Sequence, residues 1–159
     1  MTPHSKLGAL LDESSIRLDA AAADIEDAIR QAGAALVEAG AVDEGYVEAM
    51  LERESTVSTY VGEGVAVPHG TFAAKGTVQR NALVLLRLAT PVDWNGNDVS
   101  VVIGLAAQGR GHVGLLSRLA SVLLDAERAD RLRTASSADD VYSVLDSSVL
   151  DQPVLDATD

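Results

Sequence analysis

Two apolar runs, Asn81–Leu88 and Val99–Ala107, most restrict what this chain can fold into. Each has strand length, is rich in Val, Leu and Ile, and reads as a buried strand that needs cover from other elements. That cover is written around them at helical spacing. Ile25, Ala28, Ile29, Ala32 and Leu36 follow Asp24; Val47, Met50 and Leu51 follow Asp43; Val113, Leu116, Leu119, Val122 and Leu123 follow His112. Gly40 marks the end of the first helix and Asp43 the N-cap of the second, which makes a helical hairpin. Shorter helices are expected at Ala126–Arg133 and after the Ser137-Ala-Asp-Asp140 cap, where Val141, Val144 and Leu145 supply the apolar stripe. Ile16-Arg17-Leu18 reads as a first strand with Asp19 as a turn, and Thr90–Asp98 as a turn-rich loop carrying the only tryptophan, Trp94. Three or four strands with these helices predict a layered sheet with helices on its faces.

The chain has 159 residues, enough for one domain, and shows neither a repeat nor a linker. Residues 1–146 are expected to form that domain. Residues 147–159 are acidic, contain Pro153 and lack periodicity, which predicts a mobile tail. Apolar residues make up 47%, which excludes a disordered chain, and with aromatics at only 3% the core must be built from Ala, Val, Leu and Ile. No apolar run approaches membrane-spanning length, and the start lacks a basic-then-apolar signal pattern. Cysteine is absent, so disulfides, thiolate metal sites and cysteine nucleophiles are excluded, and a cytoplasmic location fits. A net charge of −12 argues against nucleic acid and anionic membrane as partners. His4 lies in the polar start and receives no role.

The chemistry concentrates in Gly62-Glu63-Gly64-Val65-Ala66-Val67-Pro68-His69-Gly70-Thr71. Val65–Val67 reads as a short buried strand that Pro68 terminates, because proline lacks a backbone donor and fixes φ. Gly70 lets the backbone turn or approach a ligand closely. His69 is thereby presented on a stiffened corner as nucleophile, base or metal ligand, the alternative being a hydrogen-bonded structural histidine. Arg53, at a helix end between Glu52 and Glu54, either remains solvated or reaches an anion near His69. Ser55, Thr56, Ser58 and Thr59 either donate to the same anion or make turns. His112 stands where the second apolar run passes into a helix, close to N–H groups and a dipole end that favour an anion. Its alternative is a solvated helix-start histidine.

A metal would need further ligands, and Glu63 is the only nearby candidate; H-E-x-x-H, Cys/His clusters, a Gly-x-Ser-x-Gly elbow and a P-loop are all absent. Histidine as a nucleophile toward phosphorus remains. A neutral imidazole nitrogen attacks, and the phosphoramidate passes its phosphoryl group on, with an arginine and oriented N–H groups stabilising the equatorial oxygens.

The sequence resembles the EIIA component of the mannitol branch of the bacterial phosphoenolpyruvate-dependent sugar phosphotransferase system. The strongest part is Tyr46-Val-Glu-Ala-Met-Leu-Glu-Arg-Glu54 followed by Ser58-Thr-Tyr-Val-Gly-Glu-Gly-Val-Ala-Val-Pro-His-Gly-Thr71. A second part is Val101-Val-Ile-Gly-Leu-Ala-Ala107 with His112 and Leu115-Leu-Ser-Arg-Leu-Ala120. The resemblance implies an α/β (α+β) fold, a three-layer α-β-α sandwich with a mixed central sheet flanked by helices. It implies that His69 is transiently phosphorylated on Nε2 by the carrier HPr, that His112 stabilises the phosphoryl group and that Arg53 stabilises charge. The phosphoryl group then passes to a cysteine of EIIB, coupled to membrane EIIC, with no cofactor or metal. Val92-Asp-Trp-Asn-Gly96 followed by the Gly-Leu-Ala-Ala strand end, together with the Glu-Arg-Glu segment, favour the mannitol type over fructose-type and nitrogen-regulatory relatives. A regulatory module read by a partner is the alternative from a different functional class.

Overall fold

The two apolar runs become neighbouring central strands of one mixed sheet. The computed structural model describes residues 7–71, 77–108 and 111–146, the three residues 111–113 through their backbone alone. After a 3-10 turn (Leu7–Leu10) come β1 (Leu11–Ala20), α1 (Ile25–Glu38), α2 (Gly45–Thr56), β2 (Tyr60–Gly62) and β3 (Val65–Ala66). They are followed by β4 (Ala82–Trp94), β5 (Asn97–Ala106), α3 (Gly111–Leu123), α4 (Ala126–Arg133) and α5 (Ala138–Asp146). The strand order is β1-β4-β5-β3-β2. β1 is parallel to β4 and β3 to β5, whereas β4–β5 and β2–β3 pair antiparallel.

Alternation along the strands divides the apolar side chains between two faces. Val65, Val67, Leu83, Leu85, Val101, Ile103 and Leu105 pack with residues of α3, α4 and α5, among them Leu119, Leu132 and Val144. Ala66, Val84, Leu86, Leu88, Val102 and Ala106 pack with residues of α1 and α2, among them Ile29, Leu36 and Met50. Because both faces are covered, β4 and β5 read as continuous apolar runs rather than alternating ones. The result is the three-layer sandwich with a mixed sheet. Local caps behave as their chemistry dictates: Asp24 Oδ1 accepts from Asp27 N at 2.9 Å, and Ser137 Oγ accepts from Asp140 N at 3.2 Å.

Four expectations need correction. The first strand runs over ten residues, not three. It lies at the sheet edge, where the exposed Asp12, Glu13 and Ser14 carry no apolar signal. Thr90–Asp98 is not a loop, because β4 continues to Trp94 across a register irregularity between Arg87 and Val92. Pro91 and its exposed neighbours look loop-like, yet a bulged stretch tolerates a proline. Asn95 (φ 57°) and Gly96 (φ 96°) close the hairpin into β5, and Trp94 is fully buried. The described sheet has five strands, β2 being the one left out of the earlier reading. Finally, α2 begins at Gly45, and Asp43 offers its carbonyl, not its side chain, to Tyr46 N at 3.1 Å. The buried positions of that helix are Tyr46 and Met50, with Val47 and Leu51 only half-buried. His4, residues 72–76 and the tail from residue 147 lie outside the described residues.

Candidate functional site

β3 and β5 are parallel neighbours, so their C-terminal ends share one edge of the sheet. In open α/β sheets this edge is where ligands bind. Val65 pairs with Val101 and Ala66 with Val102; beyond Pro68, His69 resumes the same register as an isolated parallel bridge to Leu105. Pro68 cannot donate, but its carbonyl accepts from Leu105 N at 3.0 Å. His69 is therefore fixed to the end of β5 and is only 7% exposed. Its Nδ1–H donates to the Val67 carbonyl at 2.9 Å. With the proton on Nδ1, Nε2 carries the lone pair of a neutral imidazole. β5 passes on from this edge toward α3, whose second residue is His112. His69 thus stands just past the C-terminal end of β3, whereas His112 lies in the first turn of the helix that follows β5, its side chain outside the described residues.

Tyr46 is the residue that sequence reasoning missed. Its ring lies under Gly70, where an added Cβ would stand 2.5 Å from Cε1 and 2.7 Å from Cζ. That spacing explains why a glycine must follow His69. Parallel pairing across His69 turns the Gly70 N–H toward the Leu105 carbonyl. The Tyr46 hydroxyl joins the two, accepting from Gly70 N at 2.9 Å and donating to Leu105 O at 3.0 Å. Burial raises the phenol above its ordinary 10.0, against the opposing hydrogen bond from Gly70, and so keeps the donating proton in place. The available signal was periodicity, since Tyr46 and Met50 stand one turn apart on the same face of α2.

Arg53 sits in the last turn of α2, where its Nη1 donates to the Val57 carbonyl at 2.6 Å. The guanidinium thus caps its own helix, at the start of the link that leads to Thr59. The hydroxyl-rich link follows the turn-making alternative. Ser55 Oγ and Thr56 Oγ1 donate to the Glu52 carbonyl, Ser58 Oγ accepts from Tyr60 N, and Thr59 Oγ1 donates to Glu54. Of the two acids flanking Arg53, Glu52 is exposed and Glu54 is half-buried, its carboxylate also accepting from Trp94 Nε1 at 3.0 Å.

Glu63, the one nearby metal-ligand candidate, is not brought to His69. It lies in the Gly62–Gly64 turn that leads into β3, whereas His69 follows the other end of that strand. In the turn the Glu63 backbone takes φ 56°, and its carbonyl accepts from Arg133 Nη1. Among the described residues no group of three or more His, Cys, Asp or Glu side chains is placed to hold a metal ion.

A mixed five-stranded sheet between two helical layers, with a buried histidine held at a strand end by the Val67 carbonyl, defines an α/β/α sandwich. The chain belongs to the family described as phosphoenolpyruvate-dependent sugar phosphotransferase system, EIIA 2, whose model matches residues 9–148. It is 43% identical over 122 residues to the mannitol-specific phosphotransferase enzyme IIA component of Staphylococcus aureus, covering 77% of this chain and 85% of that protein. The complex of enzyme IIAMTL and phosphorylated enzyme IIBMTL from Escherichia coli contains a chain similar to it, with TM-score 0.79 and 37% identity over 86% of this chain and 98% of the other. The nitrogen regulatory protein IIA-Ntr of Neisseria meningitidis is also similar, with TM-score 0.76 and 30% identity over 87% of this chain and 97% of the other.

Proposed function

We propose that this chain is a phosphoryl carrier of the mannitol branch of the sugar phosphotransferase system. The observation that carries the reading is the His69–Val67 hydrogen bond, which leaves the lone pair on Nε2 at the strand-end edge of the sheet. In the first step Nε2 attacks the phosphorus of phospho-HPr in line. The P–N bond to the HPr histidine breaks, and that imidazole leaves with the electron pair. In the second step the EIIB cysteine thiolate attacks the same phosphorus, and the P–Nε2 bond of His69 breaks. Nδ1–H stays on the Val67 carbonyl throughout, stabilising the positive charge that the ring gains on attack. His112 and the first N–H groups of α3 would face the phosphoryl oxygens, and Arg53 would supply a positive charge once its guanidinium leaves the helix end.

The carrier role places the chain in the cytoplasm with HPr and EIIB, EIIC providing the membrane passage. Among the described residues no helix is long and apolar enough to cross a membrane. The likeness to a nitrogen regulatory protein supports a second reading, a module whose phosphorylation state is read by a regulator. Radiolabelled phosphate passed from HPr through this chain to mannitol EIIB, with fructose EIIB as control, separates them. Rapid discharge to mannitol EIIB is the expected result. Discharge to fructose EIIB instead moves the chain to that branch, and label that stays on His69 favours the regulatory module. A chain that takes no label refutes the carrier chemistry.

A further inference from the structure

We infer that Glu54 is a positioning residue for His69, acting through a chain of hydrogen bonds that begins at the buried Trp94 and ends on the imidazole. The inference rests on the proposed role of His69 as phosphoryl acceptor. The Glu54 carboxylate accepts from Trp94 Nε1 at 3.0 Å, from Thr59 N at 3.1 Å and from the Thr59 hydroxyl at 2.5 Å. These three donors tie the last turn of α2 to the β4–β5 hairpin and to the residue that opens the path into β2. The Thr59 carbonyl then accepts from Val67 N at 3.0 Å. Val67 in turn receives Nδ1–H of His69 on its own carbonyl at 2.9 Å.

Each link removes a freedom that matters at the next. Thr59 is buried and is gripped by Glu54 through both its backbone and its hydroxyl, so its carbonyl is aimed at Val67. Val67 is anchored at its N–H by Thr59 and followed by Pro68, which confines its backbone to extended geometry. The carbonyl that sets the His69 tautomer therefore has little room to turn away. A carboxylate suits the first position because it offers two oxygens and no donor, matching three incoming hydrogens. An amide would keep one oxygen for the two N–H donors and force the Thr59 hydroxyl to turn and accept from its NH₂, and the charge that strengthens all three bonds would be lost. The full burial of the single tryptophan, in a chain otherwise nearly free of large aromatics, acquires a purpose: its indole N–H orients Glu54.

The test compares Glu54→Gln with the parent chain in two measurements: single-turnover transfer of labelled phosphate from phospho-HPr, and the 15N–1H resonances of the His69 ring. Glu54→Gln is expected to slow transfer about tenfold, as a small displacement of a reacting group does, and to shift the imidazole resonances. Thr59→Val, which loses one donor and keeps the backbone bonds, is expected to move both readouts in the same direction by less, and it serves if Glu54→Gln fails to fold. Ile29→Val, a core trimming on α1, lowers stability without touching the chain and is expected to leave both readouts at the parent values. A wild-type rate with unchanged His69 resonances in the Glu54 and Thr59 variants overturns the inference. The resonances are read on the unphosphorylated chain, so they decide on positioning even if the parent chain accepts no phosphate, an outcome that would instead refute the carrier function.

Discussion

Replacing Tyr46 by Phe removes one oxygen and leaves the ring in place beneath Gly70. Two hydrogen bonds are lost, from Gly70 N at 2.9 Å and to Leu105 O at 3.0 Å, both buried. Each is worth roughly 0.5–1.5 kcal/mol net, and a stranded buried donor costs about 1–3 kcal/mol. The expected loss is about 2–3 kcal/mol, falling to about 1 kcal/mol if Gly70 N–H and the Leu105 carbonyl close directly on each other. For a chain of this size that corresponds to a melting temperature lower by roughly 4–12 °C. Urea unfolding followed by far-UV circular dichroism measures it, with an unchanged denaturant slope as the sign that native stability alone has moved. Phosphoryl acceptance should slow in parallel, because the corner that presents His69 loses its tie to β5. A loss below about 0.5 kcal/mol with full transfer activity would refute the bridging role of the hydroxyl.

Gly70→Ala should cost about 1–3 kcal/mol by overpacking, since its Cβ would meet the Tyr46 ring at 2.5 Å; a variant that melts with the parent would show that the ring moves aside freely. His69→Ala should accept no label from phospho-HPr in a filter assay quenched in alkali, where a phosphohistidine survives, and retained labelling removes it as the acceptor. His112→Ala should still be labelled but discharge more slowly to EIIB, and Arg53→Ala should raise the transfer barrier by roughly 2–4 kcal/mol; unchanged kinetics return either residue to a structural role. Alkaline stability provides a further check. Burial raises the Tyr46 pKa above 10.0, so its contribution is intact below pH 10.0 and is lost as pH climbs through the folded value. Tyr142 behaves likewise, raised first by burial and then by Glu13, Asp12, Asp146 and Asp139. Urea midpoints measured between about pH 9 and 12 should therefore fall, less steeply in Tyr46→Phe, and equal slopes would contradict the raised phenol.

Much of the site's main axis was legible because its signals are local. Pro68 has no N–H to give a sheet, so it interrupts the ladder, and Gly70 follows His69 in a segment that has to turn. The ends of the apolar runs at Val67 and Ala107 mark where a buried sheet gives way to the residues that carry chemistry. The hydroxyls of Ser55, Thr56 and Ser58 looked available to an anion because nothing in a linear sequence shows them bonded to neighbours two to four residues away. Glu54 drew no reading of its own beside Arg53, since its partners Thr59 and Trp94 are brought to it by the helix end and by a hairpin forty residues on. Trp94 itself was assigned to a loop because Thr90, Pro91 and Asp93 are polar or strand-breaking on the exposed side of a bulged strand.

The family was read from the resemblance of its ordered motifs; periodicity and turn chemistry by themselves determined the helices of both outer layers, the two central strands and the interruption at Pro68. Each of these depends on contacts within a few residues or on burial that any sheet would provide. Tertiary structure alone decided that β3 lies beside β5 in register through His69, that the Tyr46 hydroxyl enters that line, that Glu63 is held away from the site and that Glu54 is drawn toward it. The physical reason is common to all four. A polar side chain or a strand end acquires its partner only when the sheet brings distant segments together, and the partner's position is a property of that assembly.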